Sequence, residues 1–224
     1  GVANAGQIIS PQGTVVMASG EDVMVGERSG NLFVKIQGSA APQASAGAAV
    51  ENTGSIAAAR VRMGAGDMYS IAVRNAGRIK AKDVRIEGQG TGEVHVSGEI
   101  DASSPSGKGG QVRILGEKVG VTDATINASG ATGGGTVLIG GNFQGRGVEQ
   151  NAERTFVGST TRIDVSATDR GNAGTAIVWA DDITRFHGEV RATGGARGGD
   201  GGFVEVSGRS EERRVGKEGR SRWS

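Results

Sequence analysis

The sequence predicts an all-β chain wound as a right-handed parallel β-helix, a solenoid of about 8–9 coils with three short strands each. Composition is the first reason: 42 Gly against 3 Pro and one Tyr in 224 residues is too glycine-rich for a helical domain, and the strict triplet of collagen is missing. The apolar residues, 36% of the chain, are mostly Val, Ile and Ala, which suit pleated, closely stacked strands. The third reason is repetition. The phrase NTGSIAAARVRM from Asn52 returns as NAGRIKAKDVRI from Asn75, displaced by 23 residues.

The coils follow one another along the chain. An early one is read in GQIISPQGTVVMASGEDVMVG. In the next two, inward positions alternate with outward ones: Ile56 and Ala58 then Val61 and Met63, and Ile79 and Ala81 then Val84 and Ile86. Ile100 and Ala102 lead to Val112 and Ile114, and Ile126 and Ala128 to Val137 and Ile139. Ile163 and Val165 lead to Ile177 and Trp179, and Val190 and Ala192 to Val204 and Val206. A further strand closes many turns, as in Ile71 and Val73, Val94 and Val96, or Val119 and Val121. Stacked about 4.8 Å apart, such rungs make a rod on the order of 40 Å long. Helical patterning is absent, and an antiparallel sandwich would need regular hairpin turns of the Asn-Gly type that are not evident.

One corner lengthens from coil to coil. Two residues separate Ala58 from Val61, whereas SSPSGKGGQ separates Ala102 from Val112, and later corners read SGATGGGT, SATDRGNAGTA and TGGARGGDGGF. In register, these loops stack along one edge of the rod. Glycine allows close approach and positive φ there, and side chains able to recognise a ligand are sparse, so packing is the favoured role.

Residues 1–208 are read as the repeat segment of a longer protein and 209–224, RSEERRVGKEGRSRWS, as a disordered tail. The tail resembles a terminal sequence that recurs on unrelated proteins as translated non-native DNA. It holds five Arg, one Lys and three Glu; without it 19 basic residues face 21 acidic ones and the net charge of +1 becomes −2. Basic residues interleaved with stacking aromatics are then missing, which argues against nucleic acid. No cysteine occurs, so neither disulfides nor thiolate metal sites form. No targeting pattern opens the chain, and no apolar run approaches the roughly 20 residues of a membrane-spanning helix.

The densest chemistry lies in IVWADDITRFHGEV, residues 177–190, which joins Trp179, Asp181, Asp182, Arg185 and His187. Close carboxylate pairs serve glycoside hydrolysis. The β-helical pectin hydrolases use an Asp-Asp pair, a Gly-His-Gly and an Arg-Ile-Lys, but here RIK stands at Arg78 to Lys80, before the pair, and FHGE lacks the first glycine. Adjacent aspartates in a strand also point to opposite faces. Trp179 reads as a core or corner residue, Asp181 and Asp182 as turn formers, and Phe186 as inward-facing. His187 has no partners at metal-ligand spacing. GGARGGDGGF departs from the calcium nonapeptide at Arg197 and Gly199, SGKGG lacks parts of a phosphate loop, and GQGTGE has no helix to open. Outward charges such as Arg85, Glu87, Arg113 and Glu205 read as a solvated face. No catalytic, cofactor-binding or metal residue is assigned, and no enzyme activity or cofactor is expected.

Three stretches carry a family likeness: GGGTVLIGGNFQGRG at 133–147, GNAGTAIVWADDITRFHGEV at 171–190 and GGARGGDGGFVEVSG at 194–208. They resemble the repeat region of filamentous-haemagglutinin-like surface proteins of Gram-negative bacteria, exported by two-partner secretion. The resemblance runs across 1–208 and is strongest from about 98 onward. It implies an extracellular β-helix that passes an outer-membrane transporter unfolded and is displayed or released as an adhesin, with surface glycans or proteins as partners. The Asn-Pro-containing motifs of the family's amino-terminal secretion domain are missing, which places that domain outside this chain. Two other readings share the fold: a polysaccharide-processing β-helix using Asp181, Asp182 and His187, and the stalk of a toxin-delivery exoprotein.

Overall fold

Alternating Val, Ile and Ala have no way to bury one face of an isolated strand, so successive turns of the chain stack rung on rung. The computed structural model describes residues 1–20, 22–28, 31–37, 47–65 and 71–208; the tail expected at 209–224 lies outside the described residues. The first face is a seven-stranded sheet: Val2–Asn4, Val50–Asn52, Ile71–Asn75, Glu93–Val96, Lys118–Val121, Arg154–Val157 and Ile183–Phe186. The second face begins with the front halves of Gln7–Ser19 and Ser55–Ala65 and continues with Arg78–Lys80, Glu99–Asp101, Thr125–Asn127, Arg162–Asp164 and Glu189–Arg191. The third face takes the rear halves of those two long strands, then Asp83–Gly88, Gln111–Leu115, Thr136–Ile139, Thr175–Ala180 and Phe203–Gly208. All these pairings are parallel, which makes a parallel β-helix about 30 Å long.

Seven rungs are stacked among the described residues, where the sequence predicted eight or nine. The difference lies in Asp22–Arg28 and Asn31–Gln37, which pair antiparallel as a hairpin instead of adding a rung. No regular Asn-Gly signal marked it. Ile36 of the hairpin is buried and reaches the third face, where a Cβ on Gly64 would stand 3.1 Å from its Cδ1.

Stacking of like on like fills the interior. Ile56, Ile79, Ile100, Ile126, Ile163 and Val190 are successive partners on the second face. On the third, Val61, Val84, Val112, Val137 and Ala176 stack in the same way. Each fully buried Ile contributes about 1.5–3 kcal/mol, so the column stabilises through repetition. The register corrects one expectation. Val137 and Ile139 pair with Ala176 and Val178, so Ile177 and Trp179 point outward. A one-residue slip exchanges the faces of a strand.

One corner of the early coils is held by polar groups. At the end of the first face, Asn4 Nδ2 donates to Asn52 Oδ1 at 2.8 Å and Asn52 Nδ2 to Asn75 Oδ1 at 2.8 Å. Asn52 and Asn75 are fully buried, so each amide depends on the next. Beside this ladder Gly54, Gly77 and Gly98 stack so closely that a Cβ on any one would collide with the carbonyl of the glycine below.

Candidate functional site

Residues 177–190 cross a corner. Trp179 is 1% exposed and forms, with Leu138 and Ile177, a small cluster on the outside of the third face. Residues 140–153 close over it. Gly145, at φ +64°, lies flat against the indole, where a Cβ would stand 2.7 Å from Trp179 Cε2. Trp179 Nε1 donates to Asp181 Oδ1 at 3.0 Å, and Asn151 Nδ2 donates to the same oxygen at 3.3 Å and to the Gly145 carbonyl at 2.8 Å. Asp181 thus ties strand to loop. The Asp182 carboxylate stands 3.6 Å from Arg154 Nε, and its amide donates to the Glu153 carbonyl. His187 donates its amide to Val157 O, and its ring lies 5.8 Å from that of Phe156. Phe186 packs against the core as expected. Among the described residues no group of three or more His, Cys, Asp or Glu is placed to hold a metal ion.

The same loop changes the reading of the outward charges. Glu149 bridges Arg85 Nη1 at 2.8 Å and Arg113 Nε at 3.1 Å, on successive rungs. Asp83 joins Arg113 to Arg62, and Glu87 pairs with Arg85 Nε at 2.8 Å. Burial alone would lower the Arg85 pKa; Glu87 and Glu149 outweigh it and hold the guanidinium above its ordinary value. At the loop's other end Glu205 accepts from the Gln144 amide, and Phe143 meets Phe203 edge-on at 5.5 Å. These charges are half-buried staples for the loop rather than a solvated face.

The glycine corners form a second layer of structure. Ser104 bridges Gly130, Lys108 bridges Gly133 and Gly130 bridges Ala167, all in parallel. Further out, Gly134 donates to Asn172 O and Gly171 to Gly198 O. The first three long loops open on the same device: Asp101, Asn127 and Asp164 accept from the amides of Ser103, Ser129 and Ser166. Burial raises the Asp101 pKa, but the Ser103 hydroxyl and amide and the Lys80 ammonium outweigh it, leaving the carboxyl below its usual range. The loops pack on one another with their backbone groups engaged.

One open groove was not legible in the sequence. On the outside of the first face, a depression of about 490 Å³ is lined by His95, Lys118, Gly120, Arg154, Phe156 and Arg185, among others. His95, Gly120, Phe156 and Arg185 occupy one outward position on four successive rungs. Only their common register reveals the groove.

No protein-family model and no curated protein matches the chain. Among solved structures, the HMW1 secretion domain from Haemophilus influenzae is similar over 92% of this chain, with a TM-score of 0.71 and 30% sequence identity. The chain spans 55% of that chain's length. The likeness supports the two-partner-secretion exoprotein kind and does not single out a filamentous-haemagglutinin-like repeat region. It runs to a secretion domain, the part that the missing Asn-Pro motifs had placed outside this chain.

Proposed function

We propose that the chain is a segment of a secreted or surface-displayed adhesin of the filamentous-haemagglutinin-like kind, working as a rod-like stalk that holds binding surfaces away from a Gram-negative cell. The observation that carries this reading is the likeness to the HMW1 secretion domain, which extends over 92% of the chain. Coils that contact only their neighbours can fold one after another as they leave a transporter, and a chain without cysteine cannot be locked before threading. The outer-membrane transporter of two-partner secretion is the partner during export, and surface glycans or proteins are partners afterwards. Among the described residues no helix is long and apolar enough to cross a membrane.

The stalk reading assigns no catalysis to residues 177–190. Asp181 is engaged by Trp179 and Asn151, while Asp182 faces Arg154, so the two carboxylates serve different neighbours. Export is the test. The chain, carried to the periplasm by a signal peptide, is followed in the medium with and without a two-partner-secretion transporter. Transporter-dependent release is expected; equal release without the transporter, or retention with it, contradicts the proposal.

A further inference from the structure

We infer that the groove on the first face binds an acidic polysaccharide, of the polyuronate class, laid across the rungs. This deepens the adhesive part of the proposed function and rests on it. The argument begins with charge. On the second face, outward charges neutralise one another between rungs: Arg78 pairs with Glu99 at 2.6 Å, Lys80 with Asp101 at 3.6 Å and Arg162 with Glu189 at 3.5 Å. On the third face, Arg62, Arg85 and Arg113 share Asp83, Glu87 and Glu149. The groove breaks this rule. Lys118, Arg154 and Arg185 stand on three consecutive rungs, and among the described residues neither Lys118 nor Arg185 makes an ion pair. Their only acidic neighbours in the groove's pairings are Glu93, the rung partner of Lys118 and 3.7 Å from His95 Nε2, and Asp182, on Arg154. Cations left without an ion pair occur singly elsewhere among the described residues, as at Arg191 on the second face, but here they gather on consecutive rungs beside an exposed aromatic ring, and such a grouping calls for an anionic occupant.

Shape narrows the class. Gly120 leaves a notch between His95 on the rung before and Phe156 on the rung after, rings about 10 Å apart by rung spacing. Phe156 is 41% exposed although it is a large apolar ring, and Ile183 beside it is 38% exposed. A pyranose ring offers an apolar face to such a platform and carboxylates at its edge to the cations, with a repeat comparable to the rung spacing. An acidic peptide strand fits less well. Peptides add to sheets through free strand edges, and of the strands flooring the groove Glu93–Val96, Lys118–Val121 and Arg154–Val157 are already paired on both sides, which leaves a free edge only at the last strand, Ile183–Phe186.

The test uses the whole chain, with a size-defined oligogalacturonate as probe, a neutral oligoglucoside of equal length and polyglutamate as comparisons, and affinity read by calorimetry. Gly120→Thr is the decisive variant, because an added Cβ meets the His95 ring at 3.5 Å, an ordinary contact, while the side chain fills the notch. Gly120→Thr is expected to weaken oligogalacturonate binding at least about tenfold with an unchanged melting curve. Phe156→Ser should weaken the sugar and leave polyglutamate unaffected, and Lys118→Ser with Arg185→Ser should abolish binding. The inference is overturned if Gly120→Thr binds as wild type does, if the neutral sugar binds equally, or if polyglutamate binds as tightly and responds to the same variants. Export of the same chains is read separately. Normal transporter-dependent export without uronate binding removes the groove inference and leaves the exoprotein reading standing; binding without such export does the reverse.

Discussion

In the first three coils the corner between the first and second faces carries the order, through Asn4, Asn52 and Asn75 and the glycines stacked beside them. In the last four coils the corner between the second and third faces takes over, through loops bridged backbone to backbone. The exchange happens at one coil. Val96 stands where the next Asn would stand, and the stretch from Ala102 to Gly110 opens as the first long loop. A side-chain ladder needs the same residue at the same place in every rung, so it forbids insertion. A laminate of small residues needs only backbone contact and tolerates lengthening. The later coils therefore carry long corners and the covering loop 140–153, while the early ones stay tight.

The comparison is broken most forcefully at Trp179, which holds the covering loop. Trp179→Ala removes a fully buried indole and the hydrogen bond it donates to Asp181; a loss of about 3–5 kcal/mol in denaturant unfolding is expected. A loss under about 1 kcal/mol would show that the loop is held by Glu149 and Glu205 alone. Next comes the ladder. Asn75→Ala strands the buried Asn52 amide and should cost about 1–3 kcal/mol in the same measurement, whereas Asn4→Ala, at the less buried end, should cost less. Equal costs would mean that the ladder does not act as a chain of dependencies.

Acid sharpens the comparison more gently. The Asp101 carboxyl lies below its usual range in the folded chain, so its contribution is fully present above about pH 4, the unfolded range, and is lost as pH falls through the folded value. Asp101→Asn should flatten the decline of the urea midpoint below that pH. An unaltered decline would place the acid sensitivity elsewhere. The smallest effect is expected from Arg197→Ala, which removes the exposed pair with Asp169. Backbone lamination predicts an unchanged midpoint, and a clear drop would make side chains the fastening of the loops.

The columns of the interior were legible because one residue type recurs at one spacing, as Ile56, Ile79, Ile100 and Ile126 do. The stacking of the glycine corners was legible because each falls between the same two strands of its coil, although their lengths differ. The face of Trp179 was not: in TAIVWA five consecutive residues are buried, the inner ones by the core and the outer ones by a loop, so alternation vanishes. The hairpin of Asp22–Arg28 and Asn31–Gln37 alternates much as a coil strand does, and only its partner distinguishes them. Glu149 lies far in sequence from Arg85 and Arg113, so charges read as solvated were in fact shared. The groove escaped for a related reason: His95, Gly120 and Phe156 are unremarkable singly and meaningful only in register.

Hydrogen exchange across the whole chain tests most directly the claim that the later corners are structure. Amides of Ser104, Gly130, Gly134, Ala167 and Gly171 bond to carbonyls of neighbouring rungs, so the account predicts protection comparable to the strands beside them. Exchange at the rate of open loops would contradict it and return the glycine edge to the candidates for a binding surface.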